Sequence, residues 1–220
     1  MRHSILNHDV IVIATKNAGK VKEFAHALQK LDKSVESLLD YPQIPDIVED
    51  GDTFAANARI KAKTTGDALG VPVLADDSGL RVTALNGDPG VYSARYAGED
   101  ATDGENNAKL IQELQRLGDN VEREDLGHLT DGSQIMSKAQ FVCALALYDP
   151  ATGLFLEAEG TVDGFITDTP HGIGGFGYDP LFWLPSLNRG MAELSQEEKQ
   201  QISHRGDALR KLLPLLEQGQ

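Results

Sequence analysis

The chain has 220 residues, 40% of them hydrophobic and 25% charged, and carries a formal net charge of −14. A globular chain of that size can bury a sizeable core, and its acidic excess argues against a nucleic-acid polymer as partner, since such binding draws on clustered Lys and Arg. No apolar run approaches the roughly 20 residues of a membrane span, and the start, MRHSILNHDVIVIATK, has too short an apolar core for a signal peptide. No membrane partner is expected, and the cytoplasm is the default location. A small phosphorylated ligand stays compatible with the charge if a local basic cluster and a divalent cation receive it.

Asp9 to Ala14 (DVIVIA) reads as a buried first strand that stops at a polar loop, Thr15-Lys16-Asn17-Ala18-Gly19-Lys20. From Val21, apolar residues recur at Phe24, Leu28 and Leu31, the spacing of a helix face. Strand, glycine-containing loop and helix present backbone N–H groups to an anion. A nucleotide P-loop does not fit, because position 14 is Ala and Val21 stands where Ser or Thr should follow the lysine. The loop reads as a phosphate site or as a basic helix start. Ser34 to Leu39 suggests a short strand, and Glu49-Asp50-Gly51-Asp52-Thr53 leads into a helix over Phe54 to Leu69, with Asp52 or Thr53 as N-cap. Asn57 and Lys61 share one face of that helix, either a solvated face or part of a site.

Val71 to Ala75 reads as a buried strand end that delivers Asp76 and Asp77, then Ser78-Gly79, into a turn. Two adjacent ionised carboxylates repel, so a fold that holds them together supplies a cation or a proton. A short apolar stretch (Leu80, Val82, Leu85), a turn over Asn86 to Gly90, and Tyr92-Ser93-Ala94-Arg95-Tyr96 follow, the last suggesting a pocket wall. Asp100 to Leu117 is helical by pattern, and Gly118 to Gln134 reads as a loop without an assigned function. Phe141 to Tyr148 and Phe155 to Val162 form a hairpin across Asp149 to Gly153, and Gly164-Phe165-Ile166 extends it or starts a third strand. The single cysteine, Cys143, lies in the apolar run FVCALALY and reads as a core residue.

In His171 to Phe182 (HGIGGFGYDPLF) the glycines allow close backbone approach to a ligand, while Phe176 and Tyr178 could stack on a ring. Ser195 and Glu198 have capping-box spacing, and Lys199, Ser203, His204 and Arg205 precede an apolar helix through Leu209, Leu212, Leu213 and Leu216. A serine-hydrolase triad of His204 with Ser78 or Ser93 lacks a GxSxG elbow.

Six stretches in order, TKNAGK (15–20), EDGDTFAANARIKA (49–62), ADDSGL (75–80), PGVYSARYAG (89–98), GGFGYDPLF (174–182) and AELSQEEKQQISHRGDAL (192–209), resemble the inosine/xanthosine triphosphate pyrophosphatase (Ham1-like) family, which acts on non-standard purine nucleotides. The resemblance implies one α/β domain over residues 1–220, with a long central mixed sheet flanked by helices and two lobes around a substrate cleft. It implies hydrolysis of ITP, dITP and XTP to the monophosphate and pyrophosphate, with Mg²⁺, by a homodimer. Carried over, Thr15, Lys16, Asn17, Ala18, Gly19 and Lys20 would bind the triphosphate, and Asp77 would be the catalytic proton acceptor and a metal ligand. Ser78 would contact substrate, and Phe176, Gly177, Tyr178 and Asp179 would line the base and sugar pocket. Lys199, His204 and Arg205 would complete the nucleotide site. Asn57 and Lys61 belong to the same motif set as substrate-binding candidates, and Glu49 or Asp76 would be the second metal ligand. A nucleotide-binding protein without hydrolysis, or a pyrophosphatase for modified pyrimidine triphosphates, would use a similar acidic site.

Overall fold

The computed structural model describes residues 9–28, 34–118 and 126–218, so Leu31 and positions 119–125 of the expected loop lie outside the described residues. The apolar run VIVI forms β1 (Val10–Ile13) and buries three of its four side chains. α1 (Ala18–Leu28) begins three residues before the apolar pattern predicts. Asn17 causes this, its Oδ1 accepting from the Lys20 N–H at 3.0 Å in the manner of an N-cap. Ala18, Gly19 and Lys20 are therefore the first helical turn and not loop.

β2 (Ser34–Ser37) follows, then α2 (Phe54–Leu69), capped by Thr53, whose Oγ1 accepts from the Ala56 N–H at 3.1 Å, and closed by Gly70 in the left-handed region. β3 (Val73–Val82) corrects the reading of a turn after Ala75: the backbone stays extended for ten residues, straight through both aspartates. Leu80 and Val82 carry on the alternation, and both are fully buried.

α3 (Asp103–Gly118), β4 (Ile135–Asp149), β5 (Leu154–Thr167), β6 (Phe182–Leu184), β7 (Arg189–Gly190), α4 (Gln196–Ile202) and α5 (His204–Gln218) complete the chain. The β4–β5 turn closes where the Gly153 N–H donates to the Asp149 carbonyl at 2.8 Å. β5 absorbs Gly164-Phe165-Ile166. Ahead of α4 the capping box forms in both directions, Ser195 N–H to Glu198 at 2.8 Å and Glu198 N–H to Ser195 Oγ at 3.2 Å.

The result is an α/β fold with a seven-stranded mixed sheet in the order β2-β1-β3-β4-β5-β6-β7. β1 runs parallel to β2 and β3, whereas β6 is antiparallel to β5 and β7. Contacts divide the chain into two compact units, Met1–Ser78 with Val142–Thr161 and Gln200–Gln220, and Gly79–Phe141 with Val162–Lys199.

In the first unit, Ile11 and Ile13 of β1, Leu74 of β3 and Cys143, Leu145 and Leu147 of β4 pack against Phe24 and Leu28 of α1 and Leu209, Leu212 and Leu216 of α5. α5 lies so close to β5 that a Cβ at Gly160 would overlap the Ala208 amide nitrogen and the His204 carbonyl. In the second unit, the Phe141 and Phe182 rings stack with centroids 4.4 Å apart. The Tyr92–Tyr96 stretch folds there as a short 3₁₀ turn (Gly90–Arg95). Its Ser93 Oγ accepts from the Leu80 N–H at 2.9 Å, fixing the turn to β3. Among the described residues no helix is long and apolar enough to cross a membrane.

Gly160→Ala tests the β5–α5 contact. The added methyl meets backbone, which cannot rotate away, so the expected loss is about 2–3 kcal/mol, read as a lower urea midpoint with an unchanged m-value.

Candidate active site

Successive side chains on a strand point to opposite faces, so the continuous β3 separates its two aspartates. Leu74, Asp76 and Ser78 share the face that carries the core built with α1 and α5. Asp77 faces α2. The repulsion expected of adjacent carboxylates is relieved by giving each its own cations.

On the α2 face, Lys61 is the connector. Its Nζ lies 2.9 Å from Asp77 Oδ1 and 2.9 Å from Glu49 Oε2. Burial works against its charge, but Asp77 and Glu49 outweigh this and raise its pKa. Burial likewise pushes the Asp77 carboxyl up, and Glu49 adds to the rise, against the downward pull of Lys61 and Lys20. Among the described residues nothing hydrogen-bonds to Asp77 Oδ2, although it is buried. One carboxylate oxygen is held and the other is open.

Glu49 faces Lys61 because of Asn57. That side chain is fully buried, and its Oδ1 accepts from the Gly51 N–H at 2.8 Å, pinning the Glu49-Asp50-Gly51 turn to the first turns of α2. Asn57, expected as a substrate contact, is instead enclosed. Lys61, one turn further on, is buried too, so of the two readings of this face the solvated one gives way to an interior one. Val48 is exposed and Glu49 turns inward.

The other face holds a denser network. Asp76 is 1% exposed and ion-paired with Lys20 of α1 and Arg205 of α5, the latter through Nε at 3.1 Å. Ser78 Oγ donates to Asp76 Oδ1 at 3.4 Å and accepts from Arg205 Nη2 at 2.9 Å, and the Cys143 thiol donates to Asp76 Oδ2 at 3.0 Å. Burial alone would raise the Asp76 pKa, but Arg205, then Lys20 and Lys61, hold it well below the carboxylate range. Burial and the Asp76 charge push the Cys143 thiol up, so it stays a donor. Glu23, one turn beyond Lys20 on α1, pairs with Arg205 Nη1.

Arg205, expected to meet the nucleotide, is thus 2% exposed with donors on Asp76, Ser78 and Glu23. His204 beside it is buried at the start of α5. Thr15 is buried, its Oγ1 accepting from the Asn17 N–H at 3.1 Å. Lys16 stands apart from Lys20, its Nζ 2.5 Å from the exposed Asp46.

A second cluster forms in the other unit. Lys199 Nζ and Asp179 Oδ2 make a buried pair at 2.6 Å, and Asp179 also accepts from the Phe176 N–H at 3.1 Å. Gly175 has φ +80°, and a Cβ there would overlap both partners of this pair, so only glycine fits. The Gly177 N–H donates to Asp103 at 2.6 Å and its carbonyl accepts from Asn107 at 3.0 Å. Phe176 is half-buried, whereas Tyr178 is buried with its hydroxyl donating to the Ser93 carbonyl at 2.9 Å. A stacking role for the Tyr178 ring gives way to a structural one.

Sequence reasoning missed Glu23, Cys143, Asp103 and Asn107. Glu23 was recoverable, since it follows Lys20 at helical spacing. The other three carry no local signal.

Magnesium favours hard oxygen ligands and commonly takes one or two carboxylates plus phosphate oxygens and waters. Among the described residues no three His, Cys, Asp or Glu side chains converge as a closed metal cage. Asp77 with its open Oδ2, beside Glu49 across a shared ammonium, fits the sparser arrangement. Asp76 does not fit, because both of its oxygens are taken.

A family model described as Ham1 family matches residues 11–215. A protein of Geobacillus kaustophilus named dITP/XTP pyrophosphatase is 52% identical over 202 residues, 92% of this chain and 91% of that one. One of the same name from Halalkalibacterium halodurans is 48% identical over 201 residues, 91% of this chain and 95% of that one. The solved structure of a HAM1 protein from Coxiella burnetii superposes with a TM-score of 0.78 at 40% identity, covering 95% of this chain and 98% of that one.

The raised Asp77 pKa is directly measurable by carbon-detected NMR of its carboxyl, which should titrate above the ordinary aspartate value of about 3.9. Lys61 stabilises the ionised form, so Lys61→Met should move the titration to still higher pH. A downward move would contradict the geometry.

Proposed function

The chain belongs to the Ham1 family, and on that premise we propose that it is a dITP/XTP pyrophosphatase that hydrolyses ITP, dITP and XTP to the nucleoside monophosphate and pyrophosphate. The observation that carries the mechanism is the half-engaged Asp77: Oδ1 held by Lys61 at 2.9 Å, Oδ2 buried with no partner among the described residues. Oδ2 accepts a proton from a water whose oxygen forms a bond to the α-phosphorus. The bond from that phosphorus to the α,β-bridging oxygen breaks, and pyrophosphate leaves with the bonding pair. A pKa raised by burial suits Asp77 to take that proton.

Lys20 and Lys61 supply positive charge toward the triphosphate, so that positioning and electrostatics provide most of the rate. Asp77 and Glu49 would hold Mg²⁺, which when bound offsets charge on the phosphate oxygens. Thr15 to Lys20, at the start of α1, bind the triphosphate and Ser78 contacts the substrate, Phe176 to Asp179 line the base and sugar pocket, and Lys199 and His204 complete the nucleotide site. Hypoxanthine and xanthine carry a keto oxygen at C6 that accepts a hydrogen bond, where adenine carries an amine that cannot, so a site built of donors rejects adenine. That donor is assigned to a backbone N–H, since Arg205 is engaged by Asp76, Glu23 and Ser78. The same reading takes the protein as a cytoplasmic homodimer that acts on free nucleotides as a single domain over residues 1–220.

Pyrophosphate release from a panel of ITP, dITP, XTP, ATP, GTP, dUTP and dCTP, with and without Mg²⁺, tests the assignment. Turnover of the first three alone, and only with Mg²⁺, is expected. Asp77→Asn should lower kcat at least about 100-fold while ITP still binds. Near-normal turnover by that variant would remove Asp77 from the chemistry.

A further inference from the structure

The two adjacent aspartates differ in one respect that bears on the reaction. Asp77 keeps an open oxygen. Asp76 has none: Oδ1 faces Lys20 and Ser78, Oδ2 faces Arg205 and Cys143, which fills the roughly four lone-pair sites of a carboxylate. Its partners come from four elements, α1, β3, β4 and α5. A lysine ammonium on a flexible four-carbon stem has no fixed place of its own. Lys20 is given one by a carboxylate that cannot itself move. The guanidinium opposite is equally fixed, by Glu23 and Ser78 in addition to Asp76.

We propose that Asp76 is the positioning residue of the phosphate-binding start of α1: its buried carboxylate, oriented by the Cys143 thiol, ties Lys20 of α1 to Arg205 of α5 and so sets where the Lys20 ammonium stands. Asp76 touches neither metal nor substrate in this scheme. It rests on the assignment of Lys20 to the triphosphate. Cys143 becomes the far anchor of the same network, a role its apolar sequence context hides.

A double-mutant cycle on kcat/KM for ITP decides it. Asp76→Asn keeps the shape but loses the charge that places Lys20, and should lower kcat/KM about 100-fold, mostly in kcat. In a Lys20→Ala background the same substitution should cost less than about threefold, because its target is gone. Equal costs in both backgrounds would mean a general structural role and overturn the proposal. The Mg²⁺ concentration for half-maximal rate should be unchanged in Asp76→Asn, and a marked rise would make Asp76 a ligand and overturn it as well.

Should Asp76→Asn fail to fold, Cys143 carries the test. Cys143→Ala removes one donor and should lower kcat/KM about fivefold, Cys143→Ser should recover it, and the difference should vanish in the Lys20→Ala background. Equal activity of the alanine and serine variants with Lys20 present would refute the anchoring. A wild-type protein that releases no pyrophosphate from ITP refutes the enzymatic reading alone. The same cycle is then read as pyrophosphate affinity by calorimetry, where additivity overturns the positioning role and non-additivity supports it.

Discussion

A carboxylate buried to 1% exposure in the middle of a strand is the constraint around which the first unit is arranged. An isolated charge there would cost several kcal/mol in desolvation. Asp76 is tolerated because Lys20 and Arg205 reach it from two helices distant in sequence, with a thiol and a hydroxyl filling the remaining positions. The network specifies where α1 and α5 start relative to β3. Apolar packing of Phe24, Leu28, Leu209 and Leu212 against the sheet supplies the bulk of the stabilisation but is non-directional, whereas charge-assisted hydrogen bonds impose geometry.

The strand alternation then yields two chemically distinct carboxylates from one dipeptide. Asp76 is saturated and strongly ionised; Asp77 shares Lys61 with Glu49 and retains an open oxygen. A saturated carboxylate can hold other groups in place, and an open one can accept a proton or a hard cation. This division of labour follows from the period of two in an extended chain, which a turn at the same residues would not enforce.

Polar side chains elsewhere show the same preference for internal positioning over display. Asn57 holds the turn that bears Glu49, Tyr178 holds the Ser93 turn, and the Asp179–Lys199 pair is walled by a glycine loop that admits no side chain at Gly175. Buried polar groups require partners, and once they have them they fix loops that apolar packing would leave free.

The sequence by itself determined the α/β class, α2 with its Thr53 cap, the capping box at Ser195 and Glu198, and the motif order that marks the Ham1 family, because each depends on residues near one another in the chain. The tertiary structure alone decided that β3 runs on through Asp76 and Asp77. It also decided that Asn57 and Arg205 are interior rather than displayed, that Glu49 and not Asp76 shares Lys61 with Asp77, and that Cys143 donates to a charge. Burial and ion pairing join residues up to 182 positions apart, as Glu23 and Arg205 show, and local periodicity carries no information about a partner at that distance.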